Sequence, residues 1–403
     1  MLSSREQGPY RLSVGGSRVL REGGHKMSKV ALVRCESYDR AEVRASAQRG
    51  IDLLGGAGLF AAPGEKILLK PNWVMAVPPE RHATTHPSVL RAVCEIFQEA
   101  GAVLSYGDSP GRGAAEDETL EAAKATGCLD AVAGLGIPLA DFIHGREVSA
   151  GSRTFYIANG ALDCDGIISL PKLKTQQFLK LTGAVKNQFG CIPGRRKGAY
   201  HRELQKPADF ARMLIDLNML LKPRLYIMDG IIAMEGNGPM SGDPKKMNVL
   251  LFSSDPIALD ATVCRLVDVN PEYSYTVTLG KQAGHGTYIS DEITLLGDAL
   301  DSFIARNFNI NRNPIGNVRG SDAFSLGNDS GVQKPHIDEE KCLRCGDCID
   351  VCPISPKALS WRGAEKENPP VYDYDRCIRC YCCQELCRHG AISIVEPTSA
   401  VGV

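Results

Sequence analysis

The 403-residue chain lacks any apolar run near the roughly 20 residues that span a bilayer, so no membrane span is expected. It also lacks a net charge of consequence. The 46 Lys and Arg residues balance 47 Asp and Glu, leaving a formal charge of −1. Neither nucleic acid nor an anionic membrane is therefore expected as the main partner. Arg5, Arg11 and Arg18 near the start are joined by no apolar stretch, so this segment is not read as a secretory signal. There is no G-x-x-x-x-G-K-[ST] loop, and ATP use is not indicated. Gly236-x-Gly238 is followed by Pro239, with no glycine three residues on, so the dinucleotide pattern fails too. No independent flavin or nicotinamide fingerprint remains. One further absence is local: residues 166–202 contain no Asp or Glu, although they hold eight Lys and Arg residues.

Cysteine is what the chain does have, 15 in all. Cys342, Cys345, Cys348 and Cys352 follow the spacing C-x2-C-x2-C-x3-C, with Pro353 next. Cys377, Cys380, Cys383 and Cys387 repeat that spacing. Zinc sites usually use two separated C-x2-C pairs rather than such compressed runs. A disulfide framework does not suit a chain read without a secretory signal. This segment, 337–394, resembles bacterial-type ferredoxins, in which the fourth thiolate of each cluster comes from the other run. The resemblance implies two [4Fe–4S] clusters, one on Cys342, Cys345, Cys348 and Cys387, the other on Cys377, Cys380, Cys383 and Cys352. Ile337-Asp338 before the first run and Tyr372-Asp373-Tyr374-Asp375 before the second support an internal repeat. The chain departs from the pattern in three ways. Arg388 stands where proline usually follows the last ligand, Cys382 is extra, and residues 360–370 lengthen the connection. Arg388 is expected to raise the local potential and to mark a docking face; Cys382 is expected to be a free thiol.

From residue 29 to about 305, apolar runs alternate with amphipathic stretches. Strands are expected at 29–33, 66–70, 102–107, 166–170, 224–229, 247–252 and 293–296. Helices are expected at 41–54, 87–100, 116–126, 207–220 and 256–267. Pro87, Pro207 and Pro256 suit first helical turns, and Thr85 and Asp255 are good capping types. This alternation predicts an α/β fold, a mostly parallel sheet covered by helices, followed by a C-terminal α+β ferredoxin-like two-cluster module. The expected domains are a flexible N-terminal tail at 1–28, an α/β domain at 29–306, a linker or surface loop at 307–336, and the ferredoxin domain at 337–396.

In open α/β sheets ligands bind beyond the carboxyl ends of strands. The acid-free segment begins at such an end, and its Lys172, Lys174 and Lys186 lie among Gly, Thr and Asn. These three lysines are read as anion ligands. Arg195-Arg196-Lys197 fits a solvated basic face equally well. Other strand ends carry Lys70-Pro71-Asn72, Thr84-Thr85-His86, Gly107-Asp108-Ser109-Pro110-Gly111 and Met234-Glu235-Gly236-Asn237-Gly238-Pro239. Any one alone is ordinary turn chemistry; four together predict one cleft. These motifs, with Leu173-Lys174-Thr175 and the run from Thr182-Gly183-Ala184-Val185-Lys186-Asn187 to Gly190, resemble the family called domain of unknown function 362. The resemblance spans roughly residues 29–300 and implies an α/β domain with a cleft and an appended redox module.

The first functional expectation is an iron–sulfur oxidoreductase. Its clusters would pass electrons at about −400 mV or lower to an anionic small-molecule substrate. Lys70, Asn72, Lys172, Lys174, Lys186 and Asn187 would bind that substrate, and His86, Asp108 or Glu235 would move protons. A redox partner protein is implied, as is the cytoplasm of a microbe with low-oxygen metabolism. Two other readings stand beside it: an electron carrier or maturation scaffold, and a non-redox α/β enzyme with structural clusters.

Overall fold

The computed structural model describes residues 27–111, 116–314, 333–363 and 366–395. The proposed tail through residue 26 and the 315–332 part of the proposed linker lie outside the described residues. The α/β body contains strands β1 (Ser28–Arg34), β2 (Lys66–Lys70), β3 (Val103–Tyr106), β4 (Gly145–Ala150), β5 (Arg153–Ala158), β6 (Gly166–Ser169), β7 (Lys172–Gln176), β8 (Lys180–Leu181), β9 (Leu225–Glu235), β10 (Asp243–Ser253) and β11 (Ile293–Gly297). β4 and β5 form a separate hairpin. The other nine make one sheet, ordered β11-β1-β10-β9-β6-β2-β3, with β7 pairing to β9 and β8 to β7. The sheet is mixed and mostly parallel. β10 runs antiparallel to β1 and β9, and β8 to β7, while the remaining pairs are parallel.

Successive residues of a strand face opposite sides, and here both sides are buried. Ala31, Val33, Ile67, Leu69 and Phe252 pack under helices Arg40–Leu53 and Pro87–Glu99. On the other face Val30, Leu32, Tyr226, Val249 and Leu251 meet helix Pro256–Leu266, while Leu68 and Ile167 meet helix Pro207–Leu221. The Asp255 carboxylate caps its helix by accepting from the Ile257 and Ala258 amides. At the second helix the cap is His86, whose Nδ1 accepts from the Ser88 amide at 3.2 Å. Thr85 turns inward instead and donates to the Leu170 carbonyl at 2.6 Å. Residues beyond 306 stay on the α/β body. Phe308 is buried in its core, and Arg312 donates to the carbonyls of Arg306, Phe308 and Asp268.

In the C-terminal module β12 (Lys334–Ile337) pairs with β15 (Ile392–Val395), and β13 (Leu359–Ser360) with β14 (Val371–Tyr372). The two cysteine runs share a backbone path. Arg344 and Arg379, each just before the second cysteine of its run, both have φ of 55°. Gly346 and Tyr381, each just after that cysteine, have φ of 84° and 61°. Left-handed backbone at matching positions bends each run around its thiols.

The candidate active site between the two modules

A cavity of about 370 Å³ lies where the strand-end loops meet the C-terminal module. Asn72, Asp108, Lys174, Lys186 and Asn187 line its α/β wall. Cys352, Pro353, Cys382, Glu385 and Leu386 line the facing wall. The module is held there by buried polar contacts. Gln384, fully buried, donates to the Gly238 carbonyl at 3.0 Å and to Asn237 Oδ1 at 2.8 Å. Asn237 Nδ2 donates to the Ile392 carbonyl at 2.9 Å, and Ser241 Oγ to the Cys387 carbonyl at 2.9 Å. Leu386 joins Met75, Val77, Ala83, Met234 and Met240 in an apolar cluster shared by both modules. Arg388 contributes at the same seam: its Nε donates to Asp347 at 3.2 Å, and its carbonyl accepts from Arg81 at 3.4 Å.

The lysines are buried, and each is handled differently. Lys70 pairs with Asp108 at 2.8 Å, with side-chain exposures of 0% and 3%. Asp108 also accepts from the Trp73 and Ser109 amides, at 2.6 and 2.9 Å. Lys70 Nζ reaches Asn187 Oδ1 at 3.3 Å, and Asn72 Nδ2 donates to the same oxygen at 3.0 Å. Lys186 is 3.5 Å from Glu385 across the module boundary. Burial raises the Glu385 carboxyl, but Lys186, His201 and a hydrogen bond from Gln176 outweigh it and hold the group below the usual range. Lys174 donates to the Ala83 carbonyl at 2.5 Å and, among the described residues, has no carboxylate within 4.0 Å. Burial, then the nearby Lys186 and Lys172, push its amine well below the ordinary lysine range.

Lys172 belongs elsewhere. It binds Asp229 at 2.8 Å and the Tyr38 hydroxyl at 2.7 Å, behind the cavity wall. Asp229 also accepts from Tyr38 and from the His86 amide. The His86 ring stacks on Tyr38 at 3.6 Å. Burial first, with Lys172 adding to it, lowers the His86 pKa to about 4. Neither Lys172 nor His86 lines the cavity, and nor does Lys70, which is fully buried against Asp108. Glu235 does not either: it accepts from the Asn309 amide at 2.8 Å and lies 3.8 Å from Lys245. The loop after it, with Asn237, Gly238 and Ser241, serves as a seat for the C-terminal module. Of the basic triplet, Arg195 and Arg196 are exposed and Lys197 is buried; Arg195 and Lys197 line the cavity, and Arg196 does not.

Sequence reasoning passed over Asp260 and Glu385. Asp260 accepts from the Ala184 and Val185 amides at 2.6 and 3.1 Å and so fixes the short helix Gly183–Asn187 that carries Lys186 and Asn187. Burial pushes its pKa up to about 7. Nothing in its local sequence signals this, because its partners lie some 75 residues away. Glu385 sits between Cys383 and Cys387 of the second run, and only the fold brings it to Lys186.

The thiols form two groups. Cys342, Cys345, Cys348 and Cys387 line one small void, and Cys352, Cys377, Cys380 and Cys383 line another. Among the described residues no three His, Cys, Asp or Glu side chains converge as ligands of a single metal ion. Four thiols ringing a void suit a cuboidal iron–sulfur cluster better than one tetrahedral ion. Tyr372 donates its hydroxyl to Cys383 Sγ at 3.2 Å, as groups beside cluster sulfurs commonly do. Cys382, outside both groups, is buried with its thiol against Cys380.

Comparison with known proteins agrees with this division. The domain of unknown function 362 matches residues 67–265, and a 4Fe-4S dicluster domain matches residues 334–388. The thylakoid-associated protein sll1697 of Synechocystis sp. is 38% identical over 261 residues, covering 64% of this chain and 80% of that protein. The chain belongs to the domain of unknown function 362 family. The matched family region carries most of the sheet and the basic cavity wall, with β1 and β11 lying outside it, and the C-terminal module is of the 4Fe–4S ferredoxin type. A solved structure of the lactate racemase apoprotein from Thermoanaerobacterium thermosaccharolyticum aligns with a TM-score of 0.41 and 12% identity. It covers 61% of this chain, which in turn spans 58% of that one, under two thirds of its length. Among the described residues no helix is long and apolar enough to cross a membrane.

Proposed function

We propose that this protein is a ferredoxin-type iron–sulfur oxidoreductase that reduces an anionic small molecule held between its two modules. The observation that carries the proposal is the position of Cys352, which belongs to one thiol quartet and also lines the basic cavity. The two quartets would each hold one [4Fe–4S] cluster. Bound there, each cluster supplies one low-potential electron, so the pair matches a two-electron reduction.

The chain's own groups do the rest. Lys174 and Lys186 hold the anion: among the described residues Lys174 has no carboxylate partner and Lys186 only Glu385 at 3.5 Å, and an anion supplies the counter-charge that a buried ammonium needs. The side-chain amides of Asn72 and Asn187 flank them. Trp73, Pro239 and Leu386 exclude water from the same space. Lys174, its pKa depressed, takes up a proton as the anion arrives and can return one as substrate charge changes. A redox partner protein delivers electrons at the other quartet, where Cys345 is exposed and Leu343 is 66% exposed. The described cysteines are all unbridged, which suits the reducing cytoplasm of a low-oxygen microbe.

The test is anaerobic reoxidation. Protein reduced with dithionite and desalted is mixed with a panel of 2-oxo acids, unsaturated carboxylates and organic phosphates, and the reduced-cluster signal is followed. The proposal expects one class of anion to reoxidise the protein, with the rate lost in Lys186→Met while iron content is kept. Reoxidation by no panel member, with full exchange to a carrier ferredoxin, would favour the electron-carrier reading.

A further inference from the structure

Ser109 and Lys197 form a separate unit at the cavity wall. Both line the cavity, and both are largely buried, at 4% and 8% exposure. Lys197 Nζ lies 2.9 Å from Ser109 Oγ, 3.0 Å from the Ser109 carbonyl and 3.1 Å from the Pro110 carbonyl. The Gly194 amide donates to Ser109 Oγ at 2.8 Å. No carboxylate lies within 4.0 Å of this amine among the described residues.

Hydrogen-bond accounting distinguishes the two charge states. An ammonium would donate to all three oxygens. Ser109 Oγ would then accept twice, from Gly194 and Lys197, and its own proton would have no acceptor among the described residues. A neutral amine resolves this. Its two N–H groups donate to the two carbonyls, and its lone pair accepts the Ser109 O–H, while the Gly194 amide still donates to Oγ. Every donor then has an acceptor, as buried polar groups require. Burial acts in the same direction and lowers the Lys197 pKa to about 7. The charged and titratable groups facing it are Asp108, Lys70 and Cys191.

A hydroxyl donating to a neutral lysine, both facing a cavity, is the arrangement of an activated nucleophile. We propose that Ser109 is a nucleophile and Lys197 its general base, and that the cavity also carries out acyl transfer on an ester or thioester bearing an anionic group. Ser109 Oγ would attack the acyl carbon as its proton passes to Lys197 Nζ. The C–O or C–S bond then breaks, and the leaving alcohol or thiol departs with that proton. Water, deprotonated by the same amine, releases the acid and regenerates the hydroxyl. The net reaction is hydrolysis, with no change of oxidation state, so this proposal stands or falls apart from the electron-transfer reading.

The test uses the full-length, iron-loaded protein kept anaerobic, with a fluorophosphonate as probe and peptide mass spectrometry as readout. Labelling is expected at Ser109, at a rate that rises with pH through about 7. Lys197→Met is expected to slow it by about 10²- to 10⁴-fold, the usual span for general-base catalysis. Lys197→Arg, which keeps a cation but cannot supply a neutral amine, is expected to lose labelling equally. Iron content and melting temperature report whether each variant is folded. Should Lys197→Met fail to fold, the pH profile of the wild-type protein and the Lys197→Arg variant still decide. Undiminished labelling in Lys197→Arg, labelling only at serines other than Ser109, or a pH-independent rate would each overturn the proposal.

Discussion

Lys172 and Lys174 stand two residues apart on β7, yet they occupy opposite kinds of surroundings. Lys172 lies in a closed cluster whose partners, Asp229 and the Tyr38 hydroxyl, sit at 2.8 and 2.7 Å. Lys174 opens on a cavity and donates to the Ala83 carbonyl, with no carboxylate within 4.0 Å among the described residues. A register shift between the two residues separates their environments, for β7 pairs Lys172 with Asp229 but Lys174 with Met234. The contrast teaches that burial of a lysine says little about its role. What decides is whether the protein supplies the counter-charge. In the closed cluster it does, and the charge is structural. In the cavity it does so only in part, and something from outside is left to complete the balance.

The largest expected effect comes from breaking the closed cluster. Lys172→Met leaves the Asp229 carboxylate buried without its cation and should cost about 3–5 kcal/mol, the usual penalty for removing one partner of a buried pair. Chemical denaturation would measure it, and adding Asp229→Asn should return much of the loss. Equal stability of Lys172→Met and Lys174→Met would erase the distinction between the two lysines.

Acid sharpens the same comparison. His86 caps its helix through an unprotonated Nδ1, and its folded pKa of about 4 lies below the ordinary 6.5. The unfolded chain therefore binds more protons between those values, and stability is lost as pH falls from about 6.5 to about 4. The full loss is about 3 kcal/mol by the usual conversion of pKa shift to free energy. His86→Asn, which keeps a capping acceptor, should flatten that part of the pH–stability curve.

Lys174→Met should cost about 1–3 kcal/mol for the buried Ala83 carbonyl it leaves unpaired, less than Lys172→Met because it strands no carboxylate. It should nonetheless abolish anion binding. In the wild-type protein, binding should take up protons, since an anion favours the charged form of the amine that burial disfavours. Calorimetry in buffers of different ionisation enthalpy would show this, and no proton uptake would count against Lys174 as an anion ligand. The smallest effect is expected at Cys382. Cys382→Ser should keep its full iron content, whereas Cys380→Ser should lose part of it.

Much of the fold was legible because its causes are local. The β2 run Lys-Ile-Leu-Leu-Lys, the helix-starting prolines 87, 207 and 256, and the Asp255 cap all act within a few residues, and the corresponding elements lie where they were expected. The strands β7 and β8 were missed. Their residues are uniformly buried with lysines among them, so no alternating pattern marks them. The acid-free stretch correctly signalled unusual lysines, but the carboxylates that answer two of them, Asp229 and Glu385, lie 57 and 199 residues away. Sequence spacing could not have shown which lysine was already paired. Glu235 looked like a strand-end acid and instead serves a surface network with Asn309 and Lys245.

The central claim is that a basic cavity holds an anion against one of two iron–sulfur quartets. Anomalous diffraction from anaerobically grown crystals soaked in iodide tests it most directly. The account predicts iron peaks within both quartets, one on Cys342, Cys345, Cys348 and Cys387 and the other on Cys352, Cys377, Cys380 and Cys383, and an iodide between Lys174 and Lys186. Zinc in place of iron, or iodide found only at exposed residues away from the cavity such as Arg40 and Arg196, would contradict it.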